Sequence, residues 1–529
     1  MGRTRGTSVQ QTQSTTSSAG GGDIRYPWTS DRGDGTYRNP VLCADYSDPD
    51  VIRDGEDFWM TASSFNCTPG LPILHSRDLV NWTIVSHAIK NLPDPRKVFD
   101  LPQHGCGVWA PAIRKHDGKF WIFFPMPDEG IYVTTAADPR GRWSEPQLLI
   151  EGKGLIDPCP LWDEDGQAYL VHAYARSRAG IKNILRVRPM APDGSKVLGE
   201  GKIVFEDPEN QPTLEGPKFH KHDGWYIISA PAGGVATGWQ LILRSRNVYG
   251  PYEPKRVLEQ GSTPINGPHQ GAIVDLESGE SWFVHFQDAD VYGRILHLQP
   301  VRWKDGWPLV GIDHDGNGVG EPVLRHAKPK VAGKHPVAVP QTSDEFDNET
   351  LGLQWQWHAN QGSDWCSLTA QPGRLRLRAV ATDADFDRTP NLLLQKFPAR
   401  VFSIETEIEL HGAGEGLQAG LIIMGETHAA VAIATGPQHR QVALIVNNQV
   451  VESHPLRGGG ARLRVEVADG GNCRFSFARD EAAAWTSIGP AFQATAGKWI
   501  GAKVGLFCRL VGATAGEGHA SFDYFRFGP

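Results

Sequence analysis

The sequence predicts an all-β protein whose first part is a five-bladed β-propeller, from its turn-forming residues and from a repeated aromatic strand. Of the 529 residues, 60 are Gly and 38 are Pro. Together they make up about 19% of the chain, against roughly 12% in average proteins. With 17 Trp, 11 Tyr and 21 Phe, this composition favours short aromatic strands joined by many turns. Neither half of the chain shows a convincing long helix.

The repeated unit is a short strand, a tight turn and an aromatic strand. Four of the turns contain Asp-Gly, which between two strand-like runs is a strong signal for a hairpin, and the fifth contains Ser-Gly. The turns follow one another at intervals of 63, 48, 58 and 55 residues. The alternative is a solenoid of similar period, but an aromatic, turn-rich β pattern favours propeller blades. The turns lie at residues 54–55, 117–118, 165–166, 223–224 and 278–279.

Charge and cysteine content restrict the class of protein. The chain has 52 Lys and Arg against 60 Asp and Glu, a formal charge of −8, and no basic block, so we expect no nucleic-acid partner. No apolar run is long enough for a transmembrane helix, so we expect a soluble chain without a membrane partner. The seven scattered cysteines predict neither a zinc site nor a disulfide scaffold; one adventitious disulfide is left open. The oligomeric state and the compartment, secreted, periplasmic or cytoplasmic, are also left open.

Two stretches of the chain are predicted to lie outside folded domains. Residues 1–22 are rich in Ser, Thr, Gln and Gly, so we expect a disordered leader or linker without an intact secretory signal. Residues 326–343 mix Lys, Pro and small residues without periodicity, which predicts a linker. The predicted domains are therefore a propeller over 23–325 and a second β domain over 344–529. In the latter, segments such as 374–380 alternate with the period of a half-buried strand.

Four side chains stand at similar positions just before the turns of the repeats. Asp48, Asp157 and Glu215 precede their turns by 6, 8 and 8 residues, and His269 precedes the fifth turn by 9. The innermost strand of every propeller blade borders the central channel, so these offsets would bring the four side chains to one end of it. A single Asp-Pro is usually a turn and a single buried His is usually a core residue. Packing gives no reason for acids to stand at matching positions in three repeats. Carboxylates that lie close together raise one another's pKa, so the pattern predicts acid/base chemistry.

At these residues the sequence resembles glycoside hydrolase family 43, which contains β-xylosidases, α-L-arabinofuranosidases and arabinanases. The resemblance covers roughly residues 37–325 and implies a five-bladed propeller. Residues 344–529, which begin at the SDEFD motif, resemble the concanavalin-like, jelly-roll β-sandwich that many β-xylosidases of the family carry. The motifs in the first part are RNPVL, SDPDVI, SSFNCTPGLPILHSRDLVNW, GVWAPAI, GLIDP, TLEGP, and PHQG followed by HLQPVRWKDGWP.

The resemblance implies a role for each of the three acids. Asp48 matches the general base, Glu215 the general acid, and Asp157 the third acid, which keeps the pKa of the general acid high and orients it. Glycosidic cleavage needs one protonated carboxyl to assist the leaving oxygen and one carboxylate to activate water. Family members invert the anomeric configuration, which implies that the carboxyl groups of Asp48 and Glu215 lie about 6.5–9.5 Å apart.

The resemblance also implies the residues that bind the sugar and an ion. Phe65 and Trp109 match aromatic walls of the sugar pocket, and Arg294 matches an arginine that contacts sugar hydroxyls. His269 matches a histidine near the channel centre that lies beside a calcium ion or a water cluster. A Ca²⁺ ion in the propeller channel is therefore expected, bound by His269 directly or through water, and no organic cofactor is needed.

The predicted function is an inverting exo-glycosidase that releases terminal β-1,4-xylose from xylo-oligosaccharides or arabinoxylan, with α-L-arabinofuranosidase activity as well. A chain that is mainly an α-L-arabinofuranosidase is the first alternative; an arabinanase and a non-catalytic sugar-binding propeller are the others. Two departures from the family pattern are expected near the pocket entrance, and they leave the aglycone preference open. Asn66-Cys67-Thr68 replaces an aromatic-rich stretch, and Ala112 stands where many members have Asp.

Further aromatic residues and histidines are interpreted as structural. His285 and His297 lack a recognised metal-binding spacing, so we interpret them as core or rim residues. Trp355, Trp357 and Trp365 in the second domain are interpreted as sandwich-core residues. A loop from that domain that closes the catalytic pocket is left as an alternative.

Overall fold

The computed structural model is almost entirely β. It describes residues 28–383, 385–412, 415–436, 439–512 and 517–528. The predicted leader, residues 1–22, lies outside the described residues. Helical structure in the described part consists of α1 (Arg176–Ala179) and two 3-10 turns (Asp290–Tyr292 and Phe386–Arg388).

Five blades follow one another along the first domain, which confirms the predicted propeller. After a first strand, β1 (Thr36–Arg38), the chain forms five four-stranded antiparallel sheets with their strands in sequence order. The blades contain, in order, β2 (Asp50–Asp54), β3 (Asp57–Thr61), β4 (Gly70–Ser76) and β5 (Thr83–Ile89); β6 (Ala112–His116), β7 (Lys119–Met126), β8 (Gly130–Ala136) and β9 (Gln147–Glu151); β10 (Leu155–Trp162), β11 (Ala168–Tyr174), β12 (Ile184–Met190) and β13 (Lys202–Glu206); β14 (Lys218–His222), β15 (Trp225–Ala232), β16 (Trp239–Ser245) and β17 (Glu253–Leu258); β18 (His269–Asp275), β19 (Ser281–Asp288), β20 (Arg294–Lys304) and β21 (Trp307–Val310).

The predicted turns join the first and second strands of the blades. Asp117-Gly118 connects β6 to β7, and Asp223-Gly224 connects β14 to β15. The φ angles are 48° and 69° in the first turn and 49° and 70° in the second. Two positive φ values in succession are the type I′ geometry, which matches the twist of the two strands and favours Gly after Asp. Each turn thus sets the register of a first strand, and with it the position of the residues just before that strand.

Hydrophobic contacts join neighbouring blades, and the N-terminal segment pairs with the end of the propeller. Trp59 from the first blade and Ile113 and Phe120 from the second lie in one buried cluster. β1 pairs antiparallel with β22 (Arg325–Ala327), a strand that follows the fifth blade and extends into the predicted linker 326–343. The blades therefore form a packed scaffold for the strand ends that face the channel.

The second domain is a β-sandwich, as predicted. Its core contains Ile404 and Val465 from one sheet together with Leu421 and Leu506 from the other. One sheet contains β23 (Gln356–Trp357), β26 (Val380–Thr382), β27 (Leu393–Lys396), β29 (Leu417–Met424), β30 (His428–Thr435), β31 (Arg440–Val446), β32 (Gln449–Leu456) and β37 (Lys503–Val511). The other contains β24 (Cys366–Ser367), β25 (Leu375–Arg378), β28 (Phe402–Gly412), β33 (Gly460–Ala468), β34 (Asn472–Ala478), β35 (Thr486–Ser487), β36 (Phe492–Gln493), β38 (Gly518–Phe522) and β39 (Arg526–Gly528).

The segment Asn66-Cys67-Thr68 contacts the second domain. The side-chain amide of Asn66 donates to the carbonyl oxygen of His358 at 2.7 Å. The Lys503 ammonium donates to the sulfur of Cys67 at 3.0 Å, and both side chains are buried. These residues were expected near the pocket entrance. The structure places them at the domain interface, directly after the pocket residue Phe65, where their hydrogen-bonding side chains satisfy backbone and lysine groups that an aromatic stretch would leave unpaired.

The cysteines of the chain form no disulfide. All seven are free, and five of them are buried. In the part of the chain that the structure describes, no helix has the length and apolar character needed to cross a membrane.

Candidate active site

A pocket lies at the end of the propeller channel where the first strands of the blades begin. Its volume is about 350 Å³. All five blades contribute to it, through residues at or just before their first strands: Asp48, Ala110, Asp157, Glu215 and Gln270. Six of the seven predicted site residues line the pocket: Asp48, Phe65, Trp109, Asp157, Glu215 and Arg294. His269 is not one of the lining residues.

The backbone turns two of the acids towards the pocket. Asp48 and Asp157 have φ angles of 55° and 56°, in the left-handed region that Asp tolerates better than most residues other than Gly. Asp157 also lies where the register between β10 and β11 shifts, between Ile156 and Cys159. Such an irregularity re-aims a side chain out of the regular row of the strand. Local backbone conformation is therefore part of how these carboxyls come together.

The Asp48 carboxyl is surrounded by hydrogen-bond donors. One oxygen accepts from the hydroxyls of Ser47 and Ser63, at 2.8 and 2.6 Å. The other accepts from the Arg294 guanidinium at 2.8 Å. The Asp48 side chain is buried, so these three donors replace the water that would otherwise stabilise its charge. Asp48 is therefore arranged as a carboxylate.

The half-buried Glu215 and the buried Asp157 carry neighbouring carboxyls with different surroundings. Burial raises the pKa of Glu215, and the negative charge of Asp157 raises it further. Burial also raises the pKa of Asp157, but the Gly216 backbone N–H donates to its carboxyl at 2.7 Å and opposes that shift. Among the described residues, none donates a hydrogen bond to the Glu215 carboxyl. Burial and the neighbouring negative charge therefore favour the protonated form of Glu215.

Phe65 and Trp109 form aromatic walls of the pocket. Phe65 lies where the backbone approaches Gly107 so closely that a Cβ on Gly107 would be 2.2 Å from the Phe65 carbonyl oxygen. The Trp109 indole N–H donates to the carbonyl oxygen of Gly105 at 3.1 Å. The Arg178 guanidinium lies 5.0 Å from the centre of the Trp109 ring. Both walls are thus held by backbone contacts rather than by loose surface packing.

Trp499 adds a wall from the second domain. It lies in the segment between β36 and β37, with φ 64° and 44% of its surface exposed. The Arg294 guanidinium is 6.0 Å from the centre of its ring. A Cβ on Gly105 would lie 2.6 Å from Cγ of Lys498, so this segment rests against the propeller next to the Trp109 wall. Residues of both domains therefore line one pocket.

Comparison with known proteins identifies the family. The model of glycosyl hydrolases family 43 matches residues 37–308. The chain belongs to glycoside hydrolase family 43. The model of the β-xylosidase C-terminal concanavalin A-like domain matches residues 343–528 of this family 43 chain.

Relatives of this family 43 chain align with it over about three quarters of its length or more. A protein from Xylanibacter ruminicola is 44% identical over 403 residues, which cover 76% of this chain and 73% of that protein. A β-xylosidase from Formosa agariphila is 32% identical over 530 residues, covering 90% and 88%. The non-reducing end α-L-arabinofuranosidase BoGH43B from Bacteroides ovatus is 31% identical over 411 residues, covering 74% of each chain. The chain is thus a glycoside hydrolase, as the sequence predicted.

Several pocket residues of this family 43 enzyme were not predicted from the sequence, among them Gln270 and Trp499. Gln270 has φ 42° and lines the pocket, and its buried side-chain N–H₂ has no partner among the described residues. Its position directly after His269, in the fifth repeat, was the signal that could have found it. Trp499 carries no local signal, because only the docking of the second domain brings it to the pocket.

The surroundings of His269 test the expected calcium ion. The His269 side chain is fully buried, and neither ring nitrogen has a hydrogen-bond partner among the described residues. Burial lowers the pKa of His269 to about 3, so the ring is neutral and can accept a hydrogen bond. In the described part of the chain, no group of three or more His, Cys, Asp or Glu side chains is arranged to hold a metal. These residues fit a hydrated cation bound through water better than direct coordination, and calcium stays a prediction.

The other two histidines of the fifth blade have core environments. His285 is fully buried and lies 2.9 Å from the carbonyl oxygen of Phe286 and 3.0 Å from the Gln299 amide. His297 lies 3.0 Å from the side-chain oxygen of Gln287. Their interpretation as core residues is confirmed.

Arg294→Met is expected to destabilise the protein strongly. It removes the cation that pairs with buried Asp48, and breaking a buried ion pair at one partner costs about 3–5 kcal/mol. The double variant Asp48→Asn/Arg294→Met is expected to recover part of the loss, because the unpaired charge is then gone. Thermal unfolding of the wild type, the single variant and the double variant measures both the loss of stability and its partial recovery.

Arg53→Met is the matched control for Arg294→Met. Arg53 pairs with Glu277 at 3.0 Å, but the Glu277 side chain is 69% exposed, so about 1 kcal/mol or less is expected. If the double variant melts no higher than Arg294→Met, the loss comes from packing rather than from charge.

Proposed function

We propose that the chain is an inverting, exo-acting glycosidase that releases terminal β-1,4-linked xylose from xylo-oligosaccharides. The observation that carries the proposal is the contrast between two carboxyls of one pocket. Asp48 is held as an anion by three donors, whereas burial and Asp157 favour a proton on Glu215. One carboxylate and one carboxylic acid are what direct hydrolysis of a glycosidic bond requires.

In the proposed reaction, the two carboxyls act on opposite sides of the anomeric carbon. Glu215 gives its proton to the glycosidic oxygen, which leaves with the electron pair of the breaking bond to C1. Asp48 takes a proton from the water whose oxygen forms the new bond to C1 from the other face. The step ends with Glu215 ionised and Asp48 protonated. Exchange of protons with solvent after product release restores both groups.

The remaining pocket residues support this reaction by position and charge. Asp157 keeps the proton on Glu215 through its negative charge. Arg294 pairs with Asp48 and also donates to the Ser47 hydroxyl at 2.8 Å, so it orients the base. Its remaining N–H groups are available to sugar hydroxyls.

The walls of the pocket support action on chain ends. Phe65, Trp109 and Trp499 border the acids from different parts of the molecule, and Trp499 comes from the second domain. A pocket bounded in this way accepts a terminal sugar, whereas an arabinanase that cuts within a chain needs an open groove. Aromatic walls also suit the apolar faces of a pyranose or furanose ring.

A second activity, on terminal α-L-arabinofuranose, is included in the proposal. Xylopyranose and arabinofuranose present similar hydroxyl geometry, so one pocket can bind both. The relative from Bacteroides ovatus, named a non-reducing end α-L-arabinofuranosidase, supports this second activity. Xyloside hydrolysis is the main proposal, because the second domain matches the β-xylosidase C-terminal domain model over its whole length.

Glu215→Gln is expected to lower kcat/KM on xylobiose about 10²–10⁴-fold, because the glycosidic oxygen then leaves without a proton. The loss should be much smaller on aryl β-xylosides with acidic phenols, which leave as anions. Rates on xylobiose and on a series of aryl xylosides measure the difference. The control Glu164→Gln changes an exposed glutamate of the third blade and should leave both rates unchanged. Equal losses on both kinds of substrate would rule out Glu215 as the acid.

Asp157→Asn is expected to shift the alkaline limb of the pH profile of kcat/KM to lower pH, by about one pH unit. The sign follows from the charge: Asp157 raises the pKa of Glu215, so its removal lets Glu215 lose the required proton at lower pH. Asp163→Asn, at the outer turn of the same blade, is the control and should leave the limb in place. An alkaline limb that stays in place or shifts to higher pH in Asp157→Asn would contradict the role given to Asp157.

The wild-type enzyme is expected to cleave 4-nitrophenyl β-D-xyloside faster than 4-nitrophenyl α-L-arabinofuranoside and to release only xylose from xylotriose. Proton NMR of the first turnovers should detect α-xylose, the inverted anomer, before mutarotation. A preference of about a hundredfold for the arabinofuranoside would make the alternative the main activity. Early β-xylose would contradict inversion.

A further inference from the structure

We propose that Asp45 is a positioning residue that couples the second domain to the catalytic pocket. Its side chain does not line the pocket, and the sequence analysis gave it no role. One of its oxygens binds the strand that carries Arg294, and the other binds the segment that carries Trp499. The kinetic part of this inference rests on the proposed function, and the structural part does not.

The contacts of Asp45 link the two domains through a single carboxyl group. The side chain is buried, at 3% exposure. Its Oδ1 accepts from the backbone N–H of Arg294 at 2.9 Å. Its Oδ2 accepts from the backbone N–H of Gly501 in the second domain at 3.1 Å. Both oxygens of the carboxyl are therefore used, each by a different domain.

The two chain segments meet so closely that the contact requires glycine on both sides. A Cβ on Gly293 would lie 2.5 Å from the Gly501 nitrogen and 2.7 Å from Cγ of Asp45. A Cβ on Gly501 would lie 2.6 Å from the carbonyl carbon of Tyr292. A side chain at either position would force the segments apart and break the Asp45 hydrogen bonds. The arrangement is thus a close backbone contact with the carboxyl group beside it.

Of the two positions that Asp45 holds, Arg294 itself lines the pocket and Gly501 lies two residues from a lining residue. Arg294 is held through its own backbone, and its guanidinium pairs with Asp48. Gly501 is two residues after Trp499, whose ring lines the pocket. Asp45 itself stands three residues before Asp48. One carboxyl thus sets the distance between the pocket arginine and the wall contributed by the second domain.

Asp45→Asn tests the coupling without removing side-chain volume. The amide offers one oxygen and one N–H₂ group, so one of the two backbone N–H groups loses its acceptor and faces a donor instead. Asp469→Asn is the matched control. Asp469 accepts from the Tyr292 hydroxyl at 3.1 Å across the same domain interface, and the pocket does not include it.

Amide hydrogen exchange gives a readout that needs no substrate. Peptides that contain residues 293–296 and 496–502 should exchange about tenfold faster or more in Asp45→Asn than in the wild type. In Asp469→Asn these peptides should keep the wild-type rates. Unchanged exchange in Asp45→Asn, or equal acceleration in both variants, would overturn the inference.

Kinetics give the second readout. Asp45→Asn should raise KM about tenfold and change kcat less than about threefold, since Trp499 is displaced while the acids stay in place. In a Trp499→Ala background, the same substitution should raise KM less than about twofold, because the wall it positions is already absent. An equal effect in both backgrounds would overturn positioning through Trp499.

Gly501→Ala is the second variant, in case Asp45→Asn folds poorly. It separates the segments while leaving the Asp45 carboxyl intact, so it should give the same faster exchange and the same rise in KM. Normal exchange and KM in Gly501→Ala would contradict the close contact. If the wild type cleaves no pentoside, the proposed function fails, but hydrogen exchange still decides the role of Asp45.

Discussion

Balance of buried charge at the end of the propeller channel is the constraint on which the site depends. Asp48 and Asp157 need cations nearby, and the structure supplies them from different blades. Arg294 pairs directly with Asp48, while the positive charge of buried Lys218 favours the anion of Asp157. Glu215, the third acid, also has Arg294 and Lys182 nearby, but burial and the negative charge of Asp157 outweigh them and raise its pKa. Arg294 thus pairs with Asp48 and Lys218 favours the anion of Asp157, whereas burial and the negative charge of Asp157 oppose ionisation of Glu215.

Such a crowded site needs a rigid frame, and both domains provide it. The blades hold the acids through their first strands, and the hydrophobic clusters between blades resist the repulsion of like charges. The second domain adds Trp499 and is itself tied to the propeller by buried polar contacts, among them Lys503 with Cys67. Val291 and Tyr292 of the propeller even lie within the core cluster of the sandwich. The sandwich is therefore part of the active-site structure as well as a neighbouring domain.

The repeats of the first domain decide which features could be predicted from the sequence. The five blades and the acids Asp48, Asp157 and Glu215 could be found because each recurs at a similar offset from a turn. Phe65 and Arg294 stand at positions without a repeat, so only the resemblance to a family indicated them. A loop of the second domain at the pocket was left as an alternative, but Trp499 itself could not be found, because its place in the pocket depends on how two domains dock.

The position of the segment Asn66-Cys67-Thr68 also depends on how the two domains dock. In the chain it directly follows a pocket residue, Phe65, and on that ground it was expected near the pocket entrance. Phe65 has φ 50°, and after it the chain runs into the domain interface. The side chains of the segment contact the second domain and do not line the pocket.

The left-handed conformation lies at different positions relative to the acid in different blades. In the first and third blades the acids themselves adopt it, at φ 55° and 56°, and both are Asp, whose short side chain tolerates that region. In the fourth blade the left-handed residue is Gly216, at φ 60°, directly after the acid. Glu215 itself therefore lies outside the left-handed region. The backbone thus presents these carboxyls in two different ways, with the left-handed residue at the acid in the first and third blades and directly after it in the fourth.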